Sequence, residues 1–448
     1  MKKILVVLVV LALTVMSSMA FAAAELTFGG NVDIRSRALN NLDNNDDAVP
    51  EDYDRYTQTR IRLGFDAKAG DAKARVAVEH DWEKWGGIEA TNGGATCSDT
   101  NGNGKCDAGE PALVGTGAFR VREAWLDTPL LGGVRLKGGH MFLQLGNGWF
   151  LRNMKNGDDA WVGYTDIGNL HLGLVNAKIA DVALDNDSDF YAAVATMKMS
   201  DDMTVGANLS RVVFAKPSAV LGSDVLNNLD VHASLGLGAI KLTAELDVQM
   251  GTDKTSCAGG ACPDYAGNQL VVQGTMAMDP LAVNFTVARG SGNEATAPLV
   301  GVNDIDQIQV VLDGDPHYTL IYEYMMKTAA GGTGTGFANT TAVGGGADLK
   351  LGSLTVGGNV WYLLATEKTN LRGALNADGT NLLADDLGIE IDARIGWKLS
   401  DNVSWNWTLG YFLPGDAYMR DDPASAVVGV NKDADETTAI QGVLSMKF

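Results

Sequence analysis

Two groups of residues in this 448-residue chain have the types and spacing to do chemistry. The first is Asp99-Thr100-Asn101-Gly102-Asn103-Gly104-Lys105-Cys106-Asp107-Ala108-Gly109-Glu110. Its oxygen-bearing side chains fall where a twelve-residue EF-hand loop places its calcium ligands. Asp99, Asn101 and Asn103 would give side-chain oxygens, Lys105 its carbonyl, Asp107 a direct or water-mediated contact, and Glu110 both carboxylate oxygens, with Gly104 at the sharp turn. Oxygen-only ligation suits a hard cation such as Ca2+, and a loop with only Asp99, Asp107 and Glu110 as carboxylates suits weak binding at extracellular calcium levels. Gly93-Gly94 before the loop and Pro111 after it disfavour flanking helices, so this is an EF-hand-like loop and not a paired sensor. A loop rich in Asn, Asp and Gly also reproduces such spacing without binding metal.

The second group is basic. Arg35, Arg60, Arg62, Arg75, Arg120, Arg122, Arg135 and Lys137 recur in the first third of the chain, interleaved with Asp33, Asp66, Glu79 and Asp81. The elements that carry them are strands of about ten residues with period-two hydrophobicity. Leu26, Phe28, Val32 and Ile34 share one face of the first run, opposite Asp33 and Arg35. Ile61, Leu63 and Phe65 oppose Arg60, Arg62 and Asp66, and Ala74, Val76 and Val78 oppose Arg75, Glu79 and Asp81. Glu123 falls on the apolar row of the strand at 119–127, for which a bulge or a lipid-edge position would account.

Short turns alternate with long polar loops along the whole chain. The turns lie at 69–71, 128–133, 167–169, 200–202, 236–238, 279–280, 313–316, 351–353 and 400–402; long loops occupy 36–54, 86–117, 215–227, 368–386 and 414–436. This rhythm predicts an all-β transmembrane antiparallel barrel of about 18–20 strands, with short periplasmic turns and long extracellular loops. The segment 307–312 is the weakest strand. A soluble sandwich or propeller also alternates, but requires no repeated pairing of short and long connections. Trp82, Trp125, Trp161, Tyr164, Tyr318, Tyr322, Trp361, Trp397, Trp405, Trp407, Tyr411 and Phe412 lie near strand ends, as expected of interfacial girdles. An arginine at the lipid midplane costs about 2–4 kcal/mol, so the basic face must look into a water-filled interior. There the charges either set a transverse field that favours polar or anionic solutes, or pair with carboxylates to stiffen the wall.

Lys2 and Lys3, the apolar run 4–15 and Ala20-Phe21-Ala22 read as a secretory leader over residues 1–22, leaving 23–448 as one barrel with an excursion at 85–117. Beyond the leader, no stretch approaches the ~18–20 apolar residues of a membrane helix. Export and an even cysteine count favour disulfides, and proximity favours Cys97–Cys106 and Cys257–Cys262; zinc is the alternative, but no His neighbours either pair. A formal net charge of −21 argues against nucleic acid as a partner. His80, His140, His171, His232 and His317 are scattered and form no catalytic or metal signature, and the glycine runs follow no nucleotide-binding context, so no enzyme is expected.

The C-terminal run 442–448, with Leu444, Met446 and a terminal Phe448, resembles the assembly signal of Gram-negative outer-membrane porins. Arg60-Ile61-Arg62-Leu63-Gly64-Phe65, the run 119–126 and the run 134–148 resemble the first third of porin-like barrels that include the alginate-export type. This resemblance implies an outer-membrane diffusion channel for small hydrophilic solutes, in contact with outer-membrane lipid and lipopolysaccharide, with a homotrimer as an expectation of the family. The segment 146–158, with Trp149, Arg152 and Lys155, is a candidate for a loop folded into the lumen. Rival readings are a specific channel for organic anions or polysaccharide, a sheath around an electron-transfer cytochrome, and an outer-membrane hydrolase.

Overall fold

The computed structural model describes residues 25–42, 53–84, 119–180, 188–214, 223–257, 262–294, 304–313, 317–326, 335–376, 378–422, 425, 427 and 429–448. The leader 1–22, the EF-hand-like loop 99–110 and the Cys97–Cys106 pair lie outside the described residues.

An antiparallel ring of 18 strands closes on itself. The strands are β1 Glu25–Asn40, β2 Asp54–Ala69, β3 Ala72–Lys84, β4 Arg120–Pro129, β5 Arg135–Gln144, β6 Leu151–Ile167, β7 Leu170–Ala180, β8 Ser188–Lys198 and β9 Met203–Val213. They continue as β10 Val225–Leu237, β11 Ile240–Thr252, β12 Asn268–Met278, β13 Leu281–Gly290, β14 Thr340–Leu351, β15 Leu354–Thr369, β16 Ala384–Lys398, β17 Val403–Pro414 and β18 Thr437–Lys447. Each pairs with its chain neighbour, and the seam is made by β1 against β18, from Asn31↔Lys447 to Asn40↔Thr438. Closure leaves no edge strand, which a bilayer requires because unpaired backbone groups have no water to satisfy them. Phe448 completes the seam. Its backbone exchanges hydrogen bonds with Gly30 at 3.0 and 3.1 Å, and its ring lies 5.9 Å from that of Phe28.

Period-two alternation fixes what faces out. Leu26, Phe28, Val76, Leu174, Leu209, Val231, Val343, Val360, Ile391, Leu409 and Ile440 are all exposed, and Leu209, Val231 and Ile391 alternate directly with buried or half-buried polar neighbours: Asn208 and Ser210, Asp230 and His232, Glu390 and Asp392. An exterior so apolar suits hydrocarbon, whereas the opposite parity carries the charges. Among the described residues no helix is long and apolar enough to cross a membrane.

Two expectations from the sequence change, and one left open is decided. The segment 307–312, the weakest of the expected strands, is not part of the wall: Val311–Asp313 runs parallel to Leu151–Asn153 inside the barrel, and Ile308 is buried; most of the turn expected at 313–316 lies outside the described residues. The wall therefore has eighteen strands, the lower bound of the expected 18–20. Of the aromatic residues assigned to girdles, Trp161, Trp397, Trp405 and Tyr411 are exposed on the outside. Trp82, Tyr318 and Trp361 instead line interior cavities, and Tyr322 and Phe412 join an interior cluster, because their position parity or their segment directs them inward. The anomaly at Glu123 is a bulge. The β3–β4 register slips between Ala77↔Glu123 and Val78↔Val121, so Arg122 and Glu123 both reach the charged interior.

Candidate functional site

Cross-strand register builds the charged wall residue by residue, because side chains directly opposite on neighbouring strands are close enough to pair. Asp33 faces Arg60, and their side chains meet at 2.9 Å. Glu79 faces Arg62 on one side and Arg120 on the other. It bonds Arg62 closely, accepts from Arg120 at 2.6 Å and lies 3.5 Å from Arg122, while Arg120 also reaches Asp81 at 3.1 Å. Glu79 is fully buried beneath these three guanidiniums. Asp66 faces Arg75 at 2.8 Å, and Arg75 bonds Glu123 at 2.7 Å. Arg135 binds Asp127 and the Tyr164 hydroxyl, each at 2.9 Å by one of its nitrogens, and the Lys137 ammonium sits 4.0 Å from the Trp125 ring centroid.

Two segments fold inward against the opposite wall. The turn 145–150, between β5 and β6, hangs from Glu245 of β11. Trp149 and Phe150 donate backbone N–H groups to Glu245 Oε1 at 2.9 and 3.2 Å, and the Asn147 N–H donates to Oε2. The segment 317–326, which ends in the π-helical turn Tyr322–Met326, hangs from Glu390 of β16. The N–H groups of Ile321 and Tyr322 donate to the two Glu390 oxygens at 2.6 and 2.7 Å. Apolar packing holds both in place: Phe150 and Leu151 are buried with Met141, Phe190 and Leu226, and Trp149 and Tyr318 pack on Phe337 with ring centroids 4.8 and 4.4 Å away.

Between these insertions and the early strands lies a cavity of about 820 Å3. Arg35, Arg60, Arg62, Arg122, Arg152 and Lys155 supply its basic side; Tyr318, Thr319, Glu323, Tyr324, Asp392 and Arg394 face them. Trp82 spaces the guanidiniums, with Arg35 at 3.8 Å and Arg60 at 4.2 Å from its ring centroid. Arg35 also donates to Gln58 at 2.6 Å and to the Tyr324 hydroxyl at 3.2 Å, and Arg37 reaches the same hydroxyl. Among the described residues no carboxylate forms an ion pair with Arg35, Arg152 or Lys155, and Arg152 Nε is buried without a hydrogen-bond partner. A second cavity of about 500 Å3 shares Arg152, His317, Tyr318 and Asn359 with the first and continues it past Trp149, Lys241 and Gln273.

Of the residues singled out in the sequence, the structure brings Arg35, Arg60, Arg62, Arg122 and Asp81 to this cavity, along with Arg152 and Lys155 of the expected inward loop. Glu79 and Arg120 stand behind it. Asp66, Arg75, Arg135 and Lys137 form a separate group toward the rim that carries the turn 129–135. Asp392 and Arg394 were legible as same-parity charges in Asp392-Ala393-Arg394, whereas nothing in the sequence marked Tyr318 or Tyr324 as cavity residues. Cys257 and Cys262 are joined as a disulfide, with Cα atoms 4.0 Å apart.

The closed barrel with a charged lumen has the architecture of Gram-negative outer-membrane porins. No family model and no curated protein sequence matches the chain. The structure is similar to OccK2 (OpdF) of Pseudomonas aeruginosa, solved in complex with glucuronate, with a TM-score of 0.55 and 10% identity over 95% of this chain and 98% of that one. OccK11 (OpdR) of the same organism matches with a TM-score of 0.54 and 10% identity, over 95% and 96% of the two chains. OpdK, solved with vanillate, matches with a TM-score of 0.51 and 10% identity, over 94% and 98%. These likenesses establish the fold.

Proposed function

We propose that the chain is an outer-membrane channel for passive diffusion of small hydrophilic solutes, and that its constriction favours small organic anions. The observation that carries this reading is the cavity wall where Arg35, Arg152 and Lys155 have no carboxylate ion-pair partner among the described residues, beside three guanidiniums sharing Glu79. Such a wall lowers the energy of an anion through its positive potential and through charge-assisted hydrogen bonds to carboxylate oxygens. Trp82 and the aromatic face of the segment 317–326 offer flat apolar surface to the rest of a solute. Two of the similar barrels were solved with glucuronate and vanillate, both carboxylates, which supports the same chemical class here.

Planar-bilayer recording of the purified protein tests the proposal. A KCl gradient should give a reversal potential of anion-selective sign, and added glucuronate or vanillate should reduce the chloride current saturably. A non-saturable effect with no competition would make the protein a general pore. Cation selectivity, or no open channel, would refute the reading.

A further inference from the structure

Behind the inward turn 145–150, the walls of β10 and β11 hold three carboxylates that the solute path does not use. Asp230 and Asp247 face each other in register, and Glu245 lies two residues along β11 on the same face. One oxygen of each lies within 4.8 Å of the others, and all three side chains are buried, Asp247 completely. Among the described residues no Arg or Lys forms an ion pair with any of them. The one basic contact is His232 Nδ1, 2.5 Å from Asp230 Oδ1. Three uncompensated carboxylates in one buried corner are strongly unfavourable, since each loses hydration and repels the others.

The hydrogen bonds show what is missing. Asn208 donates its amide to Asp230 Oδ1 at 2.9 Å; Asn228 and Gln269 donate to the two oxygens of Asp247, each at 2.8 Å; backbone N–H groups of the turn satisfy Glu245. With every amide nitrogen turned toward a carboxylate, four oxygens are left buried with no partner: Asp230 Oδ2, Asn208 Oδ1, Asn228 Oδ1 and Gln269 Oε1. Their residues are about 1% exposed. A corner with surplus acceptors and surplus negative charge lacks a cation. The turn closes it from the lumen side at Gly146, whose φ is +55° and where a Cβ would come 2.5 Å from Asp230 Oδ2 and 2.8 Å from Glu245 Oε2.

We propose that Asp230, Glu245 and Asp247 hold a divalent cation of the calcium class, which neutralises this corner and locks the turn 145–150 into the lumen. Calcium is favoured over magnesium because the three carboxylates offer only oxygen ligands with no octahedral arrangement imposed on them, which flexible six- to eight-coordinate ligation accepts and a small octahedral ion does not. The cation would be structural. It binds behind the turn and not in the solute path, so the proposal stands or falls independently of the anion preference.

The test uses the full-length barrel in detergent, stripped with chelator and retitrated with calcium chloride, followed by bound-metal analysis and thermal unfolding. Wild type should bind one more calcium than the double variant Glu245→Gln/Asp247→Asn, and calcium should raise its melting temperature. The double variant should lose that rise or need at least about tenfold more calcium for it. Glu110→Gln, which removes the bidentate ligand of the EF-hand-like loop, should retain it. Equal stoichiometry and equal stabilisation in wild type and double variant would overturn the proposal and leave shared protons as the occupant. Should the double variant not fold, terbium on the wild-type fold decides. Its luminescence should be sensitised through Trp149, displaced by calcium, and strongly reduced in Trp149→Phe with calcium stabilisation retained. Terbium emission unchanged by Trp149→Phe would place the metal elsewhere.

Discussion

Replacing Glu79 by Gln removes one negative charge from beneath Arg62, Arg120 and Arg122 while keeping the shape of the side chain. For an anion about 5 Å away, a unit charge is worth about 0.8 kcal/mol in bulk-like water and about 3 kcal/mol at an effective dielectric near 20. The smaller value, appropriate to a wet lumen, already corresponds to about a fourfold increase in anion occupancy. In a bilayer KCl gradient, the anion-to-cation permeability ratio of Glu79→Gln should therefore rise at least about fourfold at 0.1 M salt. The difference should shrink toward 1 M as the Debye length falls from ~10 to ~3 Å. The barrel should also melt earlier. Breaking a fully buried ion pair costs about 3–5 kcal/mol, but Arg62 and Arg120 keep 28% and 35% exposure and Arg120 retains Asp81, so a loss of about 1–3 kcal/mol is expected. Asp201→Asn, on an exposed turn where Asp201 pairs only with Lys198 among the described contacts, is the control and should leave selectivity unchanged. A selectivity that stays constant or moves toward cations in Glu79→Gln would show that this carboxylate is not felt in the lumen, and the transverse-field argument would fail.

Glu390→Gln should loosen the segment 317–326, because one of the two oxygens that accept backbone N–H groups is replaced by a donor, a bond being worth about 0.5–1.5 kcal/mol and an unsatisfied buried N–H costing about 1–3 kcal/mol. Single-channel traces should then show frequent sub-conductance steps absent from wild type; identical traces would mean that apolar packing alone holds the segment. For the loop 99–110, isothermal titration should show calcium heat in wild type that is reduced in Glu110→Gln, and equal heats from both would remove that loop as a site.

The architecture was legible because the bilayer imposes one rule on every wall strand. Leu26, Phe28, Val76 and Phe65 had to face lipid, so Arg35, Arg62 and Arg75 had to face water, and parity alone sorted them. What parity could not decide was which alternating segment belongs to the wall. The segment 305–313 alternates weakly, yet it binds the start of β6 inside the barrel, because tertiary contacts of Ile305 with Tyr265 and of Val311 with Leu151 compete with edge pairing. Aromatic residues misled for a related reason. Trp82 and Trp361 suit an interface as well as a lumen, and what accompanies their inward placement is a packing partner distant in the sequence, Tyr318 against Trp361, or the pair of guanidiniums of Arg35 and Arg60 on adjoining strands over Trp82. Glu123 betrayed its bulge by breaking the row. Asp230, Glu245 and Asp247 gave no such sign, since single acids at alternate positions look like any lumen face until the turn 145–150 covers them.

The two inward segments are held by wall carboxylates that recognise main-chain N–H groups and not side chains. Every residue except proline offers that group, so Glu245 and Glu390 act as sockets indifferent to the amino acids plugged into them. Aperture and chemistry are thereby separable: the frame dictates how far each insert projects, and the insert's own residues dictate what it says to a passing solute. A barrel built this way can exchange one cassette for another and acquire a new preference without rebuilding a single strand.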